Sequence, residues 1–201
     1  MNYLKAVDPK LGAVIDRVGK LEREVMPDLF EALVNSIAAQ QISGKALETV
    51  WWHIRTKFRP LTPENVLAQP EALLHKCGLS ARKVGYIRAA AEEIVSGALD
   101  LDALRTMPDS EVVKRLTKLP GVGPWTAEML LIFSLQRPDV LSYDDFGIRK
   151  GLRMVYGLPS LSRAEFQSYR ERFTPCGTVA GLYLWAVAGG ALPELTDPEN
   201  K

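Results

Sequence analysis

Apolar side chains recur along this chain at spacings of three and four, the period of an amphipathic α-helix. Leu29, Phe30, Leu33, Val34 and Ile37 form one stripe directly after Pro27-Asp28. Ala46, Leu47, Val50, Trp51, Ile54 and Phe58 form another behind Ser43, which has the chemistry of an N-cap. Thr62-Pro63 and Gln69-Pro70 place proline at helix starts, and Cys77-Gly78 supplies a stop. Ser80 opens a stripe through Val84, Ile87, Ala91 and Ile94, which Gly97 closes. Asp109-Ser110-Glu111 opens a short helix with Val112, Val113 and Leu116 on one side. Further helices are predicted over 124–135, over 144–156 with Gly157 as its stop, over 162–173 and over 179–188. A first helix is predicted over about 9–25. No segment alternates convincingly as a strand, so the predicted class is all-α, with about ten short helices.

One stretch breaks the helical pattern. "LPGVGPWTA", residues 119–127, packs two glycines, two prolines and a tryptophan between two amphipathic segments. Two readings stand side by side. The glycines supply the backbone freedom of a tight αα-hairpin, with Pro124 at the first helical position. The bare Gly121 and Gly123 also let a phosphate approach backbone amides, at the positive end of the helix that follows. Lys114, Arg115 and Lys118 stand just before the turn and supply local positive charge.

Composition narrows the class without naming it. The chain has 201 residues, 47% hydrophobic and 24% charged, which suits one compact domain or two small lobes. Net charge is only +1, so any nucleic-acid reading must rest on local placement. Two cysteines, Cys77 and Cys176, are too few for a structural zinc site or a four-cysteine iron–sulfur cluster, and no disulfide is expected. The opening "MNYLKAVDPK" has no signal-peptide core, and no run of about 18 apolar residues occurs. The expected compartment is the cytoplasm, at the nucleoid in a bacterium, with no membrane partner. No oligomerisation face is evident, and a monomer is expected.

The interrupted pattern resembles a known family. "LPGVGPWTA" resembles a helix-hairpin-helix motif. "DVLSYDDFGIRKGL" resembles the second half of the HhH-GPD signature, in which a proline/glycine-rich stretch leads to an aspartate. With "LVNSIAAQQIS", these segments are similar to the AlkA-type 3-methyladenine-DNA glycosylases from about Asp28 to about Trp185. The resemblance implies a two-lobed helical HhH-GPD fold. Residues 29–142 would form the lobe with the hairpin, and residues 1–28 with 143–201 the second lobe, with the active site in the cleft between them. It implies a monofunctional glycosylase of base excision repair acting on double-stranded DNA. The enzyme would flip out an alkylated purine, of the 3-methyladenine or 7-methylguanine type, and hydrolyse its N-glycosidic bond with no required cofactor.

The site residues follow position by position. Taken alone, Asp144-Asp145 reads as an acidic helix cap. The resemblance places Asp145 at the catalytic position and leaves Asp144 the cap. A fixed anion there stabilises positive charge on the sugar and orients or deprotonates water. The resemblance also places Trp125 on the base pocket, where an indole stacks on a cationic base. Relatives that cut the backbone carry a lysine at that position, and Trp125 cannot form a Schiff base. Tyr143 is a further pocket candidate, and Cys176 stands where a relative of broad range has a second tryptophan. Gln41 matches a wedge that fills the gap left by the flipped base, with Gln40 beside it and Ser43 capping the next helix. Gly121, Val122, Gly123, Thr126 and Lys118 are the expected backbone-binding residues. A sodium or potassium ion at the hairpin, on the carbonyls of Thr117, Leu119 and Val122, is implied by the resemblance alone. Trp51, Trp52 and Trp185 are expected in the core, one of the adjacent pair facing outward. His53 and His75 lack metal-ligand spacing. Arg149 and Lys150 contact phosphate or simply solvate a helix face. Two rivals remain: a glycosylase for another lesion class, and a helix-hairpin-helix module that binds DNA without catalysis.

Overall fold

The computed structural model describes residues 1–200, and among these the secondary structure is helical throughout, without strands. The helices, in chain order, are α1 (Asn2–Val7), α2 (Pro9–Val18), α3 (Leu29–Ala39), α4 (Gly44–Lys57), α5 (Pro63–Ala68), α6 (Glu71–His75) and α7 (Ala81–Val95). They continue as α8 (Leu101–Leu104), α9 (Asp109–Leu116), α10 (Pro124–Phe133), α11 (Phe146–Tyr156), α12 (Arg163–Phe173) and α13 (Gly177–Ala188). A single 3₁₀ turn covers Pro198–Asn200. No helix is long and apolar enough to cross a membrane among the described residues.

Most starts carry the expected caps. The side chains of Asp28, Ser43, Thr62 and Ser80 accept backbone N–H groups at the starts of α3, α4, α5 and α7. Ser162 and Glu165 form a full capping box at α12. Gly157 ends α11 in the left-handed region, at φ 70°. Three expectations are corrected. The predicted first helix over 9–25 ends at Val18, where Gly19 turns the chain with φ 78°, and α1 precedes it. Pro70 is the residue before α6 rather than its first residue. Asp144 does not cap α11: Asp145 is the N-cap and accepts the Ile148 amide at 2.8 Å, while exposed Asp144 lies 3.9 Å from Arg163.

The chain divides into two compact units, one of Val25–Leu135 and one of Met1–Glu24 with Gln136–Lys201. These borders fall earlier in the chain than the predicted 28/29 and 142/143. The first unit holds α3 to α10. Its most apolar helix, α10, buries Ala127, Met129, Leu130, Leu131 and Ile132 and packs against α3 and α9. The Met26 amide donates to the Phe133 carbonyl at 2.9 Å, which ties the start of this unit to the end of α10.

The second unit is centred on α13, whose Ala180, Tyr183, Leu184 and Val187 are buried among Leu11, Ile15, Ile148, Leu152 and Phe173. α11 and α13 cross at very short range. A Cβ built on Gly151 would lie 2.3 Å from the Leu184 carbonyl oxygen. Two ion pairs fasten the flanking elements. Asp8, the N-cap of α2, also binds Arg172 of α12 at 2.8 Å. Burial pushes the Asp8 carboxyl up, but the Leu11 amide and Arg172 outweigh it and hold it below the usual carboxylate range. Arg153 of α11 grips Asp197 through two bonds of 2.9 and 2.6 Å, both side chains almost fully buried. The guanidinium hydrogen bond holds Asp197 below its ordinary range.

Candidate active site and nucleic-acid interface

Asp145 is 7% exposed, and its position follows from the helix it begins. The chain leaves Tyr143 in a turn, and the carboxylate folds back over the first turn of α11. Its Oδ1 accepts two hydrogen bonds, from the Ile148 amide at 2.8 Å and from the Trp185 indole at 2.8 Å. The positive end of α11 faces the same carboxylate. Gly147 makes the arrangement sterically feasible, since a Cβ there would lie 2.8 Å from Trp185 Cδ1 and 3.2 Å from Asp145 Oδ1. An anion is thereby fixed in a poorly solvated place, as charge stabilisation requires.

Trp185 packs against the core as expected, and its half-buried ring also turns its N–H onto Asp145, a contact no sequence signal announces. No spacing rule links residues 40 apart on different helices, and only the packing of α11 on α13 joins them. Tyr143 is half-buried and packs edge-on against Phe166, centroids 5.2 Å apart. The Arg163 and Arg149 guanidinium carbons lie 4.5 and 5.5 Å from its ring centre. Cys176 is half-buried with a free thiol, immediately before α13. Phe146 is 63% exposed, an apolar ring on the surface beside the carboxylate.

In the other unit, residues far apart in sequence meet. An open recess of about 450 Å³ is lined by Gln40, Gln41, Tyr86, Gly121, Gly123 and Trp125, among others. The α3–α4 loop and the α9–α10 turn therefore share one surface. Gly121 has φ 78°, as the hairpin reading requires. The Gln40 amide nitrogen donates to the Gly121 carbonyl at 2.8 Å, so Gln40 braces the turn. Gln41 is exposed and has φ 56°, the left-handed region that a non-glycine residue enters only at a cost.

The expected backbone-binding set is redistributed. The Val122 amide closes the turn on the Leu119 carbonyl at 3.1 Å, and the Val122 side chain is buried, so this residue shapes the turn rather than offering its N–H. Thr126 is 4% exposed, so its side chain is not a surface contact, and its amide lies in the first turn of α10, where intrahelical acceptors are lacking. Gly123 is the exposed N-cap of α10. Lys118 is exposed and lines a separate groove with Lys114 and Arg115. Ser43 is committed to capping α4 through the Ala46 amide at 3.3 Å. Trp52 is the outward member of its pair, 64% exposed. Among the described residues no His, Cys, Asp and Glu cluster has the form of a metal site.

Similarity to known proteins falls on the same segments. Residues 34–175 match the family model described as HhH-GPD superfamily base excision DNA repair protein. DNA-3-methyladenine glycosylase 1 of Schizosaccharomyces pombe is 33% identical over 178 residues, covering 84% of this chain and 75% of that protein. The solved structure of the S. pombe 3-methyladenine DNA glycosylase in complex with abasic DNA matches with a TM-score of 0.84 at 30% identity, covering 93% of this chain and 95% of that one. A DNA-3-methyladenine glycosidase from Bacillus halodurans matches with a TM-score of 0.85 at 33% identity, over 99% and 94% of the two chains.

Proposed function

The chain belongs to the HhH-GPD superfamily of base excision DNA repair proteins, and from that premise we propose that it is a monofunctional DNA-3-methyladenine glycosylase. It removes alkylated purines from duplex DNA by flipping the base and hydrolysing the N-glycosidic bond. The observation that carries this reading is the buried Asp145 carboxylate, clamped by a helix amide and an indole N–H within the family-matching segment.

Each residue has a physical task. Loss of the base leaves positive charge on the deoxyribose, and the Asp145 anion opposes that charge and orients the attacking water. An N3- or N7-alkylated purine already carries positive charge, so it leaves without a strong general acid. The Trp125 indole stacks on that cationic base, worth about 1–2 kcal/mol when desolvated. Gln41 fills the gap in the duplex and hydrogen-bonds the orphaned base, which offsets part of the few kcal/mol that flipping costs. Gly123 and the start of α10 meet the phosphate backbone without reading sequence. Three hard carbonyl oxygens, those of Thr117, Leu119 and Val122, suit a sodium or potassium ion. Leu119 already accepts one amide, and a carbonyl oxygen retains a second lone pair for such an ion. When bound, the ion would supply positive charge beside the turn, which favours an anionic backbone there. Every residue invoked lies in one chain, so a monomer suffices, and the substrate places it with the genome.

The direct test incubates the protein with methylated genomic DNA and identifies the freed bases by mass spectrometry. The expected products are 3-methyladenine and 7-methylguanine, with no covalent enzyme–DNA adduct on adding borohydride. Release of hypoxanthine or an oxidised base alone would reassign the lesion class. A trapped adduct would overturn the monofunctional mechanism, and binding without release would leave only a DNA-binding module.

Trp185 acts through Asp145 as a positioning residue. Trp185→Phe keeps an aromatic ring and removes the N–H donor. Its single-turnover base release is expected to fall about 10- to 100-fold, the worth of a hydrogen bond to a charged group, with DNA affinity unchanged. Placed on Asp145→Asn, the same change should cost base release nothing further, because the negative charge that the indole positions is already gone. An equal loss on both backgrounds would make Trp185 a packing residue only.

A further inference from the structure

Two elements assigned to DNA, the Gln41 loop and the Gly121 turn, are tied to the same helix. α3 ends at Ala39, and its last carbonyls have no intrahelical donor. The Lys83 ammonium on α7 supplies one, donating at 2.7 Å to both the Ala38 and Gln40 carbonyls. Gln40 then reaches across to the Gly121 carbonyl at 2.8 Å. One turn along α7, the Tyr86 ring packs directly against Gly121, where a Cβ would come within 2.1 Å of Tyr86 Cδ2. Between these fastenings Gln41 holds its left-handed backbone, a conformation that persists only when its surroundings impose it.

We infer that Lys83 is a positioning residue that locks the Gln41 loop to the hairpin turn, so that wedge insertion and backbone grip occur as one rigid engagement. The inference rests on reading Gln41 as the wedge. Lys83 is not a phosphate contact in this arrangement. Its ammonium is half-buried and directed at two protein carbonyls, and burial together with neighbouring Arg82 holds it below the usual lysine range. With the strut intact, the ordering of the wedge loop is complete before DNA arrives, which lowers the cost of binding the opened duplex.

The experiment uses the full chain with Lys83→Met, which keeps the aliphatic stem and removes the donors, and Gln40→Met, which removes the cross-link to Gly121. Three quantities are measured: base release from an alkylated duplex, the fluorescence of 2-aminopurine opposite a tetrahydrofuran abasic analogue, and the salt dependence of binding to that duplex. Thermal melting establishes that each variant is folded. Both variants are expected to release base at least about tenfold more slowly and to lose the 2-aminopurine response. The slope of log Kd against log salt should be unchanged, since no phosphate contact is removed. Lys83→Met combined with Gln41→Ala should be no slower than Gln41→Ala alone. The inference is overturned if both single variants stay within twofold of the parent, or if the Lys83→Met loss adds in full to that of Gln41→Ala. A salt slope that drops by about one unit makes Lys83 a phosphate contact instead and also overturns it. If Gln41→Ala itself releases base at the parental rate, the wedge reading is what fails, and the inference falls with it. An impaired Gln41→Ala beside unimpaired Lys83→Met and Gln40→Met defeats the inference alone.

Discussion

Asp145→Asn is expected to keep its fold and its affinity for abasic DNA while losing base release by about two to three orders of magnitude, the scale of removing one preorganised electrostatic group. The substitution is close to isosteric, and its two functions separate cleanly. Asparagine caps helices about as well as aspartate, and its side-chain oxygen still accepts from the Ile148 amide and the Trp185 indole. What disappears is the negative charge. A carboxylate in water would be worth little against a distant cation, but this one is 7% exposed and held by two donors. Single-turnover release from a methylated duplex, beside a binding titration and a thermal melt, makes the comparison. A variant that turns over near the parental rate removes Asp145 from the chemistry. A variant that melts early says that the cap, not the charge, was lost.

The second large effect is on stability. Gly151→Ala is expected to lower the melting temperature by roughly 4–8 °C, which for a chain of this size corresponds to about 2 kcal/mol. Two terms of opposite sign compete. Alanine is the better helix former by about 1 kcal/mol, which on an exposed face would raise stability. Here the added Cβ would meet the Leu184 carbonyl oxygen at 2.3 Å and Leu184 Cα at 2.9 Å. These are backbone atoms that no rotamer change can move, so α11 and α13 must separate, at an overpacking cost of about 1–3 kcal/mol or more. The steric term wins. The same shift parts the helix that begins at Asp145 from the residue after Leu184, which is Trp185, so base release should fall as well. An unchanged or raised melting temperature would show that α11 and α13 do not cross as closely as described.

Much of the helical framework was readable from residue chemistry alone. Caps and stops are local events, settled within about four residues: Ser43, Ser80 and Ser162 cap with their hydroxyls, and Gly157 stops α11 because it lacks a side chain. The hairpin was legible because glycine and proline restrict or free the backbone wherever they stand. The structure departs from the local signals where these conflict. Two adjacent acids compete for one cap, and the sequence alone contains no reason for Asp145 rather than Asp144 to take it. Residues 20–25 continue a mixed apolar pattern, but Gly19 takes a positive φ and ends α2 before they are reached. α8, four residues long, is too short to show any period.

The sequence by itself determined the all-α class, the bare turn at 119–123, the aspartate 20 residues beyond Trp125 and the absence of a lysine at 125. Together with the family match, these are the features on which the proposed chemistry rests. Only the tertiary structure decided which atoms serve those residues: the Trp185 indole on Asp145, the Lys83 ammonium on the Gln40 carbonyl, and the Gln40 amide on Gly121. The physical reason is range. Backbone preference and capping act over one helical turn, whereas these bonds join residues 40 to 81 positions apart, brought together only when apolar helix faces pack and exclude water.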